Sequence, residues 1–198
     1  MELSHALSDS ILTLAGIFVF FTYLKPLPSK ERFLWSAFIL SITAASLFGV
    51  IRFLGYAPAR SVSETFQHLA STLGAICLVL ASYLKISKTK LATTYLYIFV
   101  AVGTVLFLYI ELLQKPAFAQ FSTMVAIPLV LTLGIFGLFK GKKTCGIWLI
   151  LAVFLIIVAN FNRAIAPLMH VNNIDFYHCV LALSILCFGK ATQEDQNT

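Results

Sequence analysis

Charged residues are scarce in this sequence, and their scarcity excludes an ordinary soluble protein. Of its 198 residues, 11% are charged and 60% are hydrophobic. Soluble domains carry roughly 25% charged and 45–50% apolar residues. The composition therefore predicts an all-α integral membrane protein whose principal surroundings are a lipid bilayer.

Cysteine is also scarce, and its spacing excludes a metal knuckle. The sequence has four cysteines and no CxxC pair, and all four lie within or beside apolar runs. We interpret them as small packing residues. The net charge of +6 does not indicate a nucleic-acid partner, because the basic residues fall between apolar runs, as the positive-inside rule requires of cytoplasmic loops.

Seven apolar runs are each close to the ~20 residues that cross a bilayer core. They cover residues 8–25, 32–54, 64–84, 91–113, 118–139, 145–166 and 173–189. This pattern predicts a seven-transmembrane helix bundle as a single domain over residues 1–190. A short polar tail, predicted to be cytoplasmic, follows at residues 191–198.

The basic residues predict how the bundle is oriented. With seven spans the termini lie on opposite sides, and ten of the 14 Lys and Arg residues fall on the side of the C-terminus. Since basic loops remain in the cytoplasm, we expect the N-terminus outside and the C-terminus in the cytoplasm. The expected location is the cell (inner) membrane, as a multi-pass protein.

Histidine and carboxylate residues recur together at the expected outer ends of three spans. The pairs are His5 with Asp9, Glu64 with His68, and Asp175 with His178. Spacings of three or four residues place both members on one face of a helix. Polar groups at this depth usually face the bundle interior or a water-filled cavity. If the three faces converge, they form one site.

Such a site suits a divalent metal, above all zinc. A catalytic zinc takes about three protein ligands and keeps one position for water. The predicted ligands are His5, Asp9, His68 and His178. The predicted catalytic carboxylates are Glu64 and Asp175, which can orient an imidazole or accept a proton from bound water.

A structural interpretation of each pair remains open. A histidine and a carboxylate one turn apart can simply cap a helix end, and first-turn carboxylates such as Asp9 and Asp175 are favoured by the helix dipole. Weaker candidates for lining a site or binding substrate lie at the same ends of the spans. They are Ser63, Glu111, Asn160, Arg163 and His170.

Seven spans with an outside N-terminus and histidines in the last and an earlier span resemble a superfamily of membrane metal-dependent hydrolases. This superfamily contains the alkaline ceramidases and the progestin and adiponectin receptors. The matching residues are His68 with Ser63 or Glu64 nearby, and His178 with Asp175. The resemblance implies a zinc ion held by three histidines and cleavage of a lipid amide. The His-x-x-x-His pattern of its last span is missing here, because His170 and His178 are eight residues apart.

Three functions remain open at this stage. The first is metal-dependent hydrolysis of a lipid or lipid-linked substrate by a metal-activated hydroxide. The second is a small transporter, proton-coupled carrier or sensor that uses the same groups as a relay, although the middles of the spans are largely apolar. The third is a b-type haem with His68 and His178 as axial ligands.

Overall fold

A computed structural model describes residues 2–87, 92–113 and 117–193, without the side chains of Ala117 and Arg163. Within this part, seven helices are long and apolar enough to cross a membrane. They are α1 (Glu2–Leu24), α2 (Ser29–Phe53), α3 (Ala59–Ser87), α4 (Thr93–Leu113), α5 (Ala117–Phe139), α6 (Lys143–Asn160) and α7 (Asn173–Thr192). The number of spans predicted from the sequence agrees with this fold.

The helix ends differ from the apolar runs by five residues or more at three places. α1 begins six residues before the predicted run, at Glu2, and α3 begins at Ala59 rather than residue 64. α6 was expected to reach residue 166 but ends at Asn160, and a short helix, Asn162–Ile165, and a 3₁₀ turn, Ala166–Met169, follow it. Apolar runs report burial in lipid, whereas helix ends depend on local polar contacts that hydropathy does not register.

Six of the helices form a closed ring, and α4 lies outside it. The neighbouring pairs around the ring are α1–α2, α2–α3, α3–α5, α5–α6, α6–α7 and α7–α1. α4 packs mainly on α3, where a Cβ atom on Gly103 would lie 2.9 Å from the Cα atom of Leu73. The ring order makes α1 and α7 neighbours, so polar residues near the starts of these two helices can meet.

The outer surface of the bundle is apolar. Large side chains on α4 and α5, such as Tyr97, Val105, Phe121 and Leu129, are exposed. A contiguous apolar surface of this extent is a liability in water and matches the hydrocarbon of a bilayer. The fold therefore supports a multi-pass membrane protein.

Candidate functional site

The first turns of α1 and α7 form two carboxylate–histidine pairs that cross between the helices. Nδ1 of His5 lies 2.8 Å from Oδ1 of Asp175, and Nδ1 of His178 lies 3.0 Å from Oδ1 of Asp9. The i,i+4 and i,i+3 spacings correctly place these residues on facing surfaces. The partner of each histidine, however, is on the other helix rather than one turn away on its own.

Two serines donate hydrogen bonds to the carboxylate of Asp175. Ser4 donates a hydrogen bond to Oδ2 of Asp175, and Ser8 donates one to Oδ1 at 2.9 Å. Together with His5, these donors satisfy a buried carboxylate that would otherwise be costly. This arrangement ties α1 to α7 and indicates a positioning role for Asp175.

Asp9 is the more deeply buried carboxylate, with 3% of its surface exposed. Its side chain lies directly against Gly49 of α2, in space that a Cβ atom would fill. Arg52, one turn further along α2, is close enough for a favourable Coulomb interaction with Asp9. The guanidinium of Arg52 is also stacked 4.7 Å from the ring centroid of Phe53.

Replacing Gly49 with alanine is expected to destabilise the protein by about 1–3 kcal/mol, because the added methyl group overlaps the carboxylate of Asp9. Thermal unfolding in detergent measures this change. In an Asp9→Ala background, the same Gly49→Ala change is expected to cost much less, since the overlapping group is gone.

Ser36→Ala on the same helix is a suitable control for Gly49→Ala. The hydroxyl of Ser36 is buried and has no hydrogen-bond partner among the described residues. Its removal should leave stability unchanged or raise it. Equal losses from Gly49→Ala in both backgrounds would contradict the contact with Asp9.

His68 takes its carboxylate partner from α4, outside the ring. Its Nδ1 lies 2.6 Å from Oε1 of Glu111, and Thr65 donates a hydrogen bond to Oε2 of Glu111 at 3.3 Å. Glu64, the expected partner, accepts a hydrogen bond from Arg60 at 2.8 Å and is exposed. The structure therefore does not bring Glu64 to the α1–α7 cluster.

The remaining predicted residues lie in different surroundings. Ser63 is buried and donates a hydrogen bond to the carbonyl oxygen of Ala45 at 2.8 Å. Asn160 donates one to the carbonyl oxygen of Ile156 at 2.8 Å. His170 is exposed in the loop before α7, with a left-handed backbone at φ 55°. The side chain of Arg163 lies outside the part of the chain that the structure describes.

The described residues do not fit a metal centre. Among them, no group of three or more His, Cys, Asp and Glu side chains is placed to hold a metal ion. Instead, His5 and His178 each pair with a carboxylate between α1 and α7, and His68 pairs with Glu111. Zinc stays a prediction of the sequence.

A cavity of about 900 Å³ occupies the centre of the ring, near the upper end of the range for small-molecule sites. All six ring helices contribute to its lining, and α4 contributes none of the described lining residues. At one end, here called the polar end, α1, α3 and α7 begin. The lining there includes Asp9, Arg52, His68 and His178.

The other end of the cavity is apolar. Its lining there includes Phe38, Leu78, Val130, Leu181 and Phe188. A cavity with charged and hydrogen-bonding groups at one end and hydrocarbon at the other is complementary to an amphiphile. Such a molecule would place its polar group beside His178 and its chain between the helices.

His178 is the side chain best placed for chemistry in this cavity. Its Nδ1 is held by Asp9, and its imidazole lines the cavity. Its other nitrogen, Nε2, makes no hydrogen bond within the described part of the chain. A hydrogen bond from Nδ1–H to a carboxylate fixes the tautomer in which Nε2 is a proton acceptor.

Ser4, Ser8, Gly49 and Arg52 belong to this site although the sequence did not single them out as site residues. The signal for the two serines was their own four-residue spacing beside His5 and Asp9. Arg52 fits an ordinary interfacial arginine equally well, and a helical glycine such as Gly49 carries no distinguishing pattern. The roles of Gly49 and Arg52 are visible only from the packing of α2 on α1.

Fold and site together define the class: a helical bundle with seven helices long and apolar enough to cross a membrane, and with a histidine–carboxylate cluster at one end of an amphiphilic cavity. The chain belongs to a family of unknown function (DUF6962), whose family model matches residues 4–197. No curated protein and no solved structure shows significant similarity to it.

Proposed function

We propose that this protein is a membrane-embedded hydrolase that cleaves an ester or amide bond in a single-chain lipid or lipid-linked substrate. One observation carries the proposal. An imidazole oriented by a buried carboxylate, His178 with Asp9, faces the polar end of an otherwise apolar cavity. Pairs of this kind supply general bases in hydrolytic enzymes.

The reaction uses water as the nucleophile. Nε2 of His178 accepts a proton from water while the water oxygen forms a bond to the carbonyl carbon of the substrate. The bond from that carbon to the leaving oxygen or nitrogen then breaks, and the protonated imidazole returns its proton to the leaving atom. The products are a carboxylic acid and an alcohol or amine, and His178 ends as it began. Asp9 stabilises the imidazolium between the two transfers.

Arg52 supplies a permanent positive charge to the same end of the cavity. Negative charge develops on the carbonyl oxygen during attack, and preorganised donors stabilise it strongly where water is excluded. The apolar end contributes binding energy, at roughly 0.8 kcal/mol per buried methylene group. Long chains should therefore bind much better than short ones.

The side of the membrane follows from the basic loops, as a prediction. The polar end of the cavity is the end at which α1 begins, and the sequence places that end outside the cytoplasm. The substrate would accordingly be a lipid of the outer leaflet of the cell membrane.

Purified protein in lipid nanodiscs tests the proposal with a series of single-chain esters and amides of increasing chain length. Mass spectrometry measures the released acid. We expect cleavage of at least one long-chain substrate and negligible cleavage of the acetyl analogues. No release from any member of the series, under conditions where the protein remains folded, would contradict the proposal.

Treatment with a metal chelator distinguishes a hydrolase that uses His178 without a metal from a metal-dependent hydrolase. Because the described residues do not form a metal site, we expect cleavage to persist after chelation, with metal content followed by elemental analysis. Loss of activity on chelation and recovery with zinc would instead support the metal-dependent hydrolase predicted from the sequence.

A b-type haem is a second candidate, favoured by a single observation. His68 and His178 line the same cavity from α3 and α7, and a carboxylate holds Nδ1 of each. Such imidazoles can act as axial ligands. A Soret absorption band in the purified protein would support this candidate, and a colourless preparation would eliminate it.

A proton or ion carrier is less well supported, because the end of the cavity opposite the polar end is apolar.

A further inference from the structure

We propose that the cavity has a lateral opening between α5 and α6 through which a hydrocarbon chain passes directly from the bilayer. The opening lies in the halves of these helices nearest the polar end. Its rim is formed by Met124 of α5, Ile157 at the end of α6, and Phe161 just beyond it. The inference rests on the proposed function in taking a lipid as the ligand, and it adds the route that the chain takes.

The rim residues are exposed although they line the cavity. Met124 is 71% exposed, Phe161 62% and Ile157 37%. On the opposite wall, lining residues such as Leu12 and Phe38 are 2% and 9% exposed. Exposed lining residues mark where the cavity opens to its surroundings, and within the described chain the apolar ones on the α5 and α6 side are these three.

The packing of α5 on α6 explains why the opening lies at this end. Away from the polar end, the two backbones touch through glycine: a Cβ atom on Gly146 would lie 2.6 Å from the carbonyl oxygen of Gly134. A Cβ atom on Gly137 would lie 3.4 Å from the Cα atom of Gly146. Small residues permit this close approach. Toward the polar end, the face of α6 that carries Gly146 presents the bulkier Ile157.

Pro128 lies on α5 between the glycine contact and the rim. Proline has no N–H to donate to the carbonyl four residues earlier, which is that of Met124, and its ring crowds the same carbonyl. Prolines at such positions bend helices away from their ideal course. Pro128 thus divides α5 into a half that contains Met124 and a half whose glycines contact α6.

The chemistry of the rim indicates a hydrocarbon chain as the group that passes. The three rim residues are apolar, and so are their exposed neighbours Phe121 and Val125. The polar lining residues Gln120 and Asn160 lie one turn nearer the polar end, so a chain that moves sideways past the three rim residues meets apolar side chains. A chain that entered past Asp9 and Arg52 would first have to leave the bilayer for water, which costs roughly 0.8 kcal/mol per methylene.

Substituting Met124 with tryptophan should narrow the opening without touching the polar end. The probe is an intrinsically fluorescent polyene fatty acid, whose binding to protein in nanodiscs is followed by stopped-flow fluorescence. Met124→Trp is expected to slow association and dissociation by at least about tenfold, with little change in Kd. A tenfold change corresponds to about 1.4 kcal/mol in the barrier to passage.

Phe121→Trp is the matched control, because Phe121 is exposed on the same helix but does not line the cavity. The association and dissociation rates of the fatty acid with Phe121→Trp should stay within twofold of those of the unaltered protein. Ile157→Trp places the same obstacle on the facing helix, in case Met124→Trp perturbs folding. Thermal unfolding confirms that each variant is folded.

The readout is binding, so it separates this inference from the proposed catalysis. Unaltered rates in folded Met124→Trp and Ile157→Trp proteins would overturn the lateral opening alone, whether or not the ester and amide series is cleaved. Failure of the unaltered protein to bind the fatty acid would overturn the opening and the lipid-hydrolase proposal together. Tight binding of the fatty acid, together with no release of acid from any member of the ester and amide series, would overturn only the catalytic proposal.

Discussion

Replacing His178 with glutamine is expected to lower kcat for the best lipid substrate by about 10²–10⁴-fold, the usual contribution of a general base. Glutamine retains a similar size and an N–H group that can donate to Asp9. It has no basic nitrogen to accept a proton from water. KM should change little, because the cavity that holds the chain is unaltered. Steady-state rates in nanodiscs give both constants.

Glu64→Gln is the control for His178→Gln. Glu64 is paired with Arg60 on the exposed side of α3 and does not line the cavity. Its substitution also introduces glutamine at the polar end, but kcat should stay within about twofold. A folded His178→Gln protein with undiminished kcat would sink the proposed mechanism, and full loss in Glu64→Gln would restore the role that the sequence suggested for that residue.

The seven long apolar helices could be predicted from the sequence because crossing a bilayer requires a particular length and polarity of each helix. The first turns of α1 are an instructive exception. Ser4, His5 and Ser8 make the start of α1 polar, so the apolar run begins later than the helix. Their hydrogen bonds to Asp175 and their burial against α7 compensate for this polarity. No local property of α1 reveals that α7 is there.

The candidate site was predictable to the level of helix faces and no further. Spacing placed Asp9 and His178 on faces that do meet, yet the pairing between them requires that α1 and α7 close the ring. His68 shows the same limit more sharply. Its partner is Glu111, 43 residues away on a helix outside the ring, whereas Glu64 on its own helix bonds Arg60 instead. Side-chain partners follow helix packing, which a single sequence does not encode in any short pattern.

Asp9→Asn is expected to reduce kcat by about 10²-fold or more, although asparagine has nearly the same shape. The asparagine amide can donate a hydrogen bond to Nδ1 of His178. The imidazole would then carry its proton on Nε2, which could no longer accept one from water. Nitrogen-15 chemical shifts of the histidine side chain report this change of tautomer directly, and a purely structural role for Asp9 would not produce it.

Asp175→Asn provides the matched comparison for Asp9→Asn, since it removes a buried carboxylate from the same interface. Asp175 is hydrogen-bonded to Ser4, His5 and Ser8. The short ion pair with His178 is made by Asp9 instead. We expect a lower unfolding temperature but a much smaller loss of kcat. If Asp9 acts only through His178, the double variant Asp9→Asn/His178→Gln should be about as impaired as His178→Gln alone. Additive losses, or a larger loss in Asp175→Asn than in Asp9→Asn, would show that the catalytic carboxylate has been assigned to the wrong pair.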